Sequence, residues 1–122
     1  MLFHALVLAN YDIYEDFEDM EIAMKSYGYD MEPYTVLTED GWYLTFFRII
    51  STDGQKLPSE KLKDKPPILI MNGMGQSGMA WFEFGGAMTI PGGIAERGYD
   101  VWVGNNRGHR YSNKNKRDGE WS

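Results

Sequence analysis

The residues whose types and spacing could do chemistry lie between Asn72 and Trp81, in the stretch NGMGQSGMAW. Gly73, Gly75 and Gly78 spell G-x-G-x-x-G, the pattern that cradles a dinucleotide pyrophosphate. Gly75-Gln76-Ser77-Gly78 comes close to G-x-S-x-G, the sharp turn that exposes a nucleophilic serine. The third reading is a loop whose backbone N–H groups face a developing oxyanion. Each reading requires different supporting elements, so the rest of the chain arbitrates.

A chain of 122 residues is enough for one ordinary domain. At 43% hydrophobic and 15% aromatic it can fill a core, which excludes global disorder. The net charge of −6 opposes a nucleic-acid role, whose footprint would be basic. The cluster from Arg107 to Arg117 is short and reads as a solvated loop. With no cysteine there are no disulfides, thiolate metal sites or cysteine nucleophiles. Two histidines, His4 and His109, do not make a histidine-based zinc site, and no metal or cofactor is expected. Leu2 to Ala9 is apolar but too short to span a bilayer. It reads as a buried or partner-docked segment, with the remnant of a signal peptide as the alternative.

Phe17, Met20, Met24 and Tyr27 are spaced as one face of a helix within Asp12 to Tyr27, which Gly28 stops. Tyr34 to Leu37 and Trp42 to Ile50 read as hairpin strands around Thr38-Glu39-Asp40-Gly41, a turn rather than a metal site. Ser51 to Pro67 is a polar surface connection. Ile68 to Met71 is a continuous apolar run, read as a strand buried on both faces. Pro91-Gly92-Gly93 interrupts the segment from Met79 to Arg97, so the expected helix is confined to Ile94–Arg97. Asp100 to Val103 is a second buried strand, and Gly104 to Lys116 a polar loop. Strand, crossover and strand make a parallel pair. A hairpin feeding such a pair opens a mixed α/β sheet.

Against these elements the dinucleotide reading lacks its ribose-binding acid: Asn105 stands where a carboxylate belongs. The nucleophile reading lacks a glycine two residues after Ser77, where Met79 stands. Its triad would be Ser77, Asp100 and His109, yet Asp100 and His109 sit at opposite ends of a segment spanning roughly 30 Å when extended. The oxyanion reading fits best, because glycines let the backbone approach a substrate closely and the loop comes directly after a strand.

Several motifs then agree in order and distance with one family. Tyr27-Gly28-Tyr29 with Glu32, Tyr34 and Val36, then Thr38 to Gly41, resembles the "GYPxEEYxVxTEDGY" opening of the acid lipases, the gastric and lysosomal lipases of the α/β-hydrolase fold. Lys65 to Leu69 resembles their "KPPVLL", Asn72 to Trp81 their "HGLLxSSxxW", and Gly98 to Ser112 their "GYDVWLGNxRGNxYS". The resemblance covers about residues 20 to 115. It implies the N-terminal part of an α/β-hydrolase domain over residues 16–122, preceded by a separate segment, 1–15. The implied activity is hydrolysis of carboxylic esters, with neutral lipid as substrate, in a secreted or lysosomal setting.

Within the resemblance, the Met74 backbone N–H is the oxyanion donor, supported by Asn72 and Gly73. Asn72 replaces the family's histidine, Asp30 a proline, and His109 an asparagine. The nucleophile, acid and base of the family lie beyond Ser122, so the chain is expected to be inactive alone. The alternatives are a catalytically dead structural or interaction subunit and a nucleotide-binding α/β protein. Trp81 and Trp102 read as core or sheet-face packing, and Arg107 and Tyr111 as loop supports. Finally, Val101, Trp102 and Val103 are expected to form an open strand edge, because the resemblance places the nucleophile strand beside them. A partner protein would then cover that edge.

Overall fold

A computed structural model describes residues 6–8, 17–52, 55–57, 66–82 and 90–116. Its frame is the expected hairpin: β2 (Tyr29–Leu37) and β3 (Trp42–Thr52) pair antiparallel, with Tyr34 opposite Phe46. In the turn, Gly41 N–H donates to Thr38 O at 3.0 Å and the Thr38 hydroxyl to Asp40 at 2.6 Å. Arg107 reaches across to Asp40. The Thr38 hydroxyl and then Arg107 hold the Asp40 carboxyl below its usual range.

On the outer edge of β2 lies β1 (Leu6–Leu8), antiparallel, with Val7 opposite Val36. β5 (Ile68–Met71) and β6 (Val101–Gly104) form the expected parallel pair, Leu69 beside Trp102. Two short strands go beyond the expected elements. β4 (Gln55–Lys56) and β7 (Lys114–Asn115) each add two residues to β3.

The order β1-β2-β3-β6-β5 corrects the expected edge. Val101, Trp102 and Val103 are not open. β6 lies between β5 and β3, with Phe47 opposite Val103 and Arg48 opposite Trp102. The physical reason is the eleven-residue length of β3. One side of it serves β2, and the other is long enough to take β4, β6 and β7 in turn. Among the described residues the edges of the sheet are β1 and β5.

The helices cover one face. α1 (Glu18–Ser26) carries three acids in its first turn and buries Met20 and Met24 completely. Residues 12–16 of the expected helix lie outside the described residues. Phe17, Phe47 and Tyr111 meet nearly edge to face, with Phe47 at 5.3 and 5.2 Å from the other two rings. Phe47, Ile49, Val101 and Val103 complete this core.

α2 (Ile90–Glu96) starts earlier than expected and contains Pro91-Gly92-Gly93. Proline is tolerated in a first helical turn, where its missing N–H has no partner to lose. Gly92 is there for space. A Cβ on it would stand 2.2 Å from the Tyr29 hydroxyl, and Tyr29 is buried with that hydroxyl on Glu96 at 3.1 Å. Gly92→Val should therefore lower the unfolding free energy by about 2 kcal/mol. The measurement is the urea midpoint at unchanged slope; an unmoved midpoint would show that Tyr29 gives way freely.

Among the described residues no helix covers the opposite face, which corrects the expectation for β5. Its residues alternate, with Leu69 55% and Met71 36% exposed. They adjoin an open depression of about 440 Å³ lined by Tyr34, Val36, Phe46, Pro67, Leu69 and Trp102. Trp102 stacks against Tyr34 at 4.8 Å and under the Arg48 guanidinium at 5.1 Å, so it is sheet-face packing as read. Trp81 packs against the core.

Candidate functional site

The glycine loop leaves the C-terminal end of β5 and passes into a single 3-10 turn, Gly78–Trp81. That short turn stands where a dinucleotide fingerprint would open an α-helix. Gln76 N–H donates to Gly73 O at 3.2 Å, closing a tight turn over Met74 and Gly75. Gly75 has φ +72°, the value that the third position of a type II turn requires and that glycine adopts without strain. Met74 occupies the second position. Its side chain is 100% exposed, and its N–H makes no hydrogen bond among the described residues.

Three side chains fix this loop from beneath and beside it. Asn72 is buried and donates through Nδ2 to Gly73 O at 3.0 Å and to Gln76 O. Its Oδ1 accepts from Asn106 N–H at 2.9 Å, and its carbonyl from Asn106 Nδ2 at 3.2 Å. An asparagine at 72 thus ties both ends of the turn and fastens them to the loop after β6.

Asn105, fully buried, is the second tie. Its Oδ1 accepts from Gly78 N–H at 2.7 Å, and its Nδ2 donates to Thr45 O at 3.0 Å. The Ser112 hydroxyl donates to Asn105 O and accepts from Thr45 N–H, both at 2.9 Å. The approach is close: a Cβ on Gly78 would lie 2.9 Å from Val103 Cγ1. The third tie is His109, whose Nε2 accepts from Gly75 N–H at 3.2 Å.

The structure does not assemble Ser77, Asp100 and His109. The Ser77 hydroxyl accepts from Met79 N–H at 3.3 Å. Asp100 is held by the Arg48 guanidinium through two bonds of 2.8 and 3.2 Å. That contact raises the Arg48 pKa. Arg107 and Arg110 are likewise occupied by Asp40 and Asp19, and Tyr111 donates to Asp19 at 3.0 Å. These residues brace the loops, as expected for Arg107 and Tyr111.

Sequence reasoning marks Asn105 as a missing acid and His109 as a rejected triad base and a substitution, and it passes over Asn106. The available signal was an Asn-Asn pair directly after an apolar strand, beside a glycine loop full of unpaired backbone groups.

Residues 20–85 match the family model described as a partial α/β-hydrolase lipase region. A probable lipase of Schizosaccharomyces pombe is 38% identical over 90 residues, covering 73% of this chain and 19% of that protein. Triacylglycerol lipase 2 of Arabidopsis thaliana is 34% identical over 97 residues, 74% of this chain and 21% of its own length. The gastric triacylglycerol lipase of Mus musculus is 37% identical over 89 residues, 73% and 22%. The chain spans about a fifth of the length of these relatives. The hairpin, the parallel strand pair and the glycine loop are thus the N-terminal portion of a lipase sheet, and the chain belongs to the α/β-hydrolase lipase family.

Proposed function

We propose that this chain is the N-terminal part of a carboxylic-ester hydrolase acting on neutral lipids, and that its loop supplies an oxyanion donor through the Met74 N–H. The observation that carries the reading is the Met74 N–H, which makes no hydrogen bond among the described residues and sits on the turn after β5 that Asn72, Asn105 and His109 tie. A donor held in advance aims its dipole at charge that appears only in the transition state, and needs no reorganisation when it does. Gly73 precedes it, and the Cβ it lacks would meet Gln76 Oε1 at 2.9 Å.

The substrate class comes from the relatives, two of which are named triacylglycerol lipases. The covalent chemistry is assigned to the remainder of the hydrolase. In this chain the Ser77 hydroxyl caps a backbone N–H and the His109 ring is bonded to Gly75, so the two are not paired as nucleophile and base. The free edge of β5 and the bare face around Leu69 and Trp102 are where that remainder joins the sheet.

Two measurements test this. The isolated chain should not hydrolyse a short-chain chromogenic ester; turnover abolished by Ser77→Ala would overturn the assignment. A gastric triacylglycerol lipase in which residues 17–116 of this chain replace the matching stretch should hydrolyse a triacylglycerol. A folded but inactive chimera would sink the proposed function.

A further inference from the structure

His109 lies in the loop after β6, beside the glycine turn. The side chain is not free. Its Nε2 faces the Gly75 N–H at 3.2 Å, and its Nδ1 faces Asn106 O, also at 3.2 Å. An N–H on one side and a carbonyl on the other admit one protonation state. Nδ1 must carry the hydrogen, and Nε2 must offer its lone pair.

We propose that His109 is a positioning residue of the glycine loop: its neutral imidazole bridges Asn106 O and Gly75 N–H to hold Met74 outward, and protonating Nε2 breaks the bridge. An imidazolium has no acceptor, so its Nε2–H and the Gly75 N–H would point at one another. The turn would then be held on that side by Asn72 alone. This makes the presentation of Met74 sensitive to protonation of the ring.

The loop packed against the ring, Asn72 to Gly78, contains no ionisable side chain. The ring's own loop carries Arg107 and Arg110, and these are paired with Asp40 and Asp19. Among the described residues, no carboxylate bonds to the imidazole that would favour its charged form. The Gly75–His109 bond is made by the neutral ring and cannot be made by the imidazolium.

The inference rests on reading the loop as an oxyanion donor, but its test uses no substrate. The 15N-labelled chain is titrated from about pH 8 to pH 5, the span over which imidazoles change charge. Two signals are monitored together, the Gly75 amide and the His109 ring. The Gly75 amide proton should move upfield with the same midpoint as the ring, and the neutral ring should be the Nδ1–H tautomer. In His109→Asn the Gly75 amide should no longer move. A ring that titrates while Gly75 stays still, or a neutral ring protonated on Nε2, overturns the proposal in the unaltered chain, whatever the variant does. Either result would leave the oxyanion assignment standing, since that depends on Met74.

Discussion

Replacing Asn105 with alanine should destabilise the fold by about 3 kcal/mol, because it strands two backbone groups at once. Gly78 N–H loses its only acceptor among the described residues, and Thr45 O loses the Nδ2 donor, both at buried positions. Each buried group left unpaired costs about 1–3 kcal/mol, and the missing amide adds a small void. Measured against a typical domain stability of about 5–15 kcal/mol, the loss is severe. Asn105→Asp makes an informative companion. It keeps an acceptor for Gly78, loses the donor for Thr45 and buries a carboxylate. Burial would raise that carboxyl's folded pKa above its unfolded value, so the cost is present at neutral pH and eases as pH falls. Chemical denaturation of both variants at two pH values measures this. A change below about 0.5 kcal/mol in Asn105→Ala would mean the loop repacks without its tie.

In the chimera, Met74→Pro should lower kcat by about 100- to 1000-fold with the fold intact. Proline removes one backbone N–H and nothing else that the turn uses. Met74 occupies the second position of a turn whose third residue has φ +72°, and proline is favoured at that second position. The preceding residue, Gly73, tolerates the extended backbone that a proline at the next position imposes. The side chain removed is fully exposed, so no packing is lost. The expected signature is a fall in kcat with KM little changed, since the donor acts on the transition state rather than the bound ester. Activity within about threefold of the parent chimera would exclude Met74 as a donor of the usual strength.

What the sequence made legible is local. The helix face of Met20 and Met24, the Asp-Gly hairpin turn and the glycine stops at Gly28 and Gly98 arise from short spacings, and all appear. The parallel pair was also readable, because strand, crossover and strand has one common solution. The neighbour of β6 was not. It is Phe46 to Arg48, inside the strand that the sequence marks, and no local spacing says which later strand takes their free side. α2 is longer than its sequence suggests because Pro91 and Gly92 look like breakers, when one sits harmlessly in the first turn and the other makes room for Tyr29. The bare side of β5 was hidden too. A run of four apolar residues has no polar alternation to say which face is covered. At the site, the tie residues are asparagines and a histidine whose partners are backbone atoms distant in sequence, which no spacing rule reports.

The reach of β3 also orders the assembly in time. Its pairing with β2 closes across only Thr38 to Gly41, whereas its pairing with β6 joins Phe47 to Val103. Loop-closure entropy grows with the enclosed length, and hairpins form within about 1–10 μs. The hairpin should therefore stand first, as a template with one vacant side. β6 can dock only after the glycine loop and crossover have been made, and the parallel partner β5 is fixed last, by β6. A chain synthesised from its N-terminus would hold Phe46 to Arg48 of β3 unpaired on that side until residue 104 was available, which places the interval of greatest vulnerability to misassociation before β6 docks.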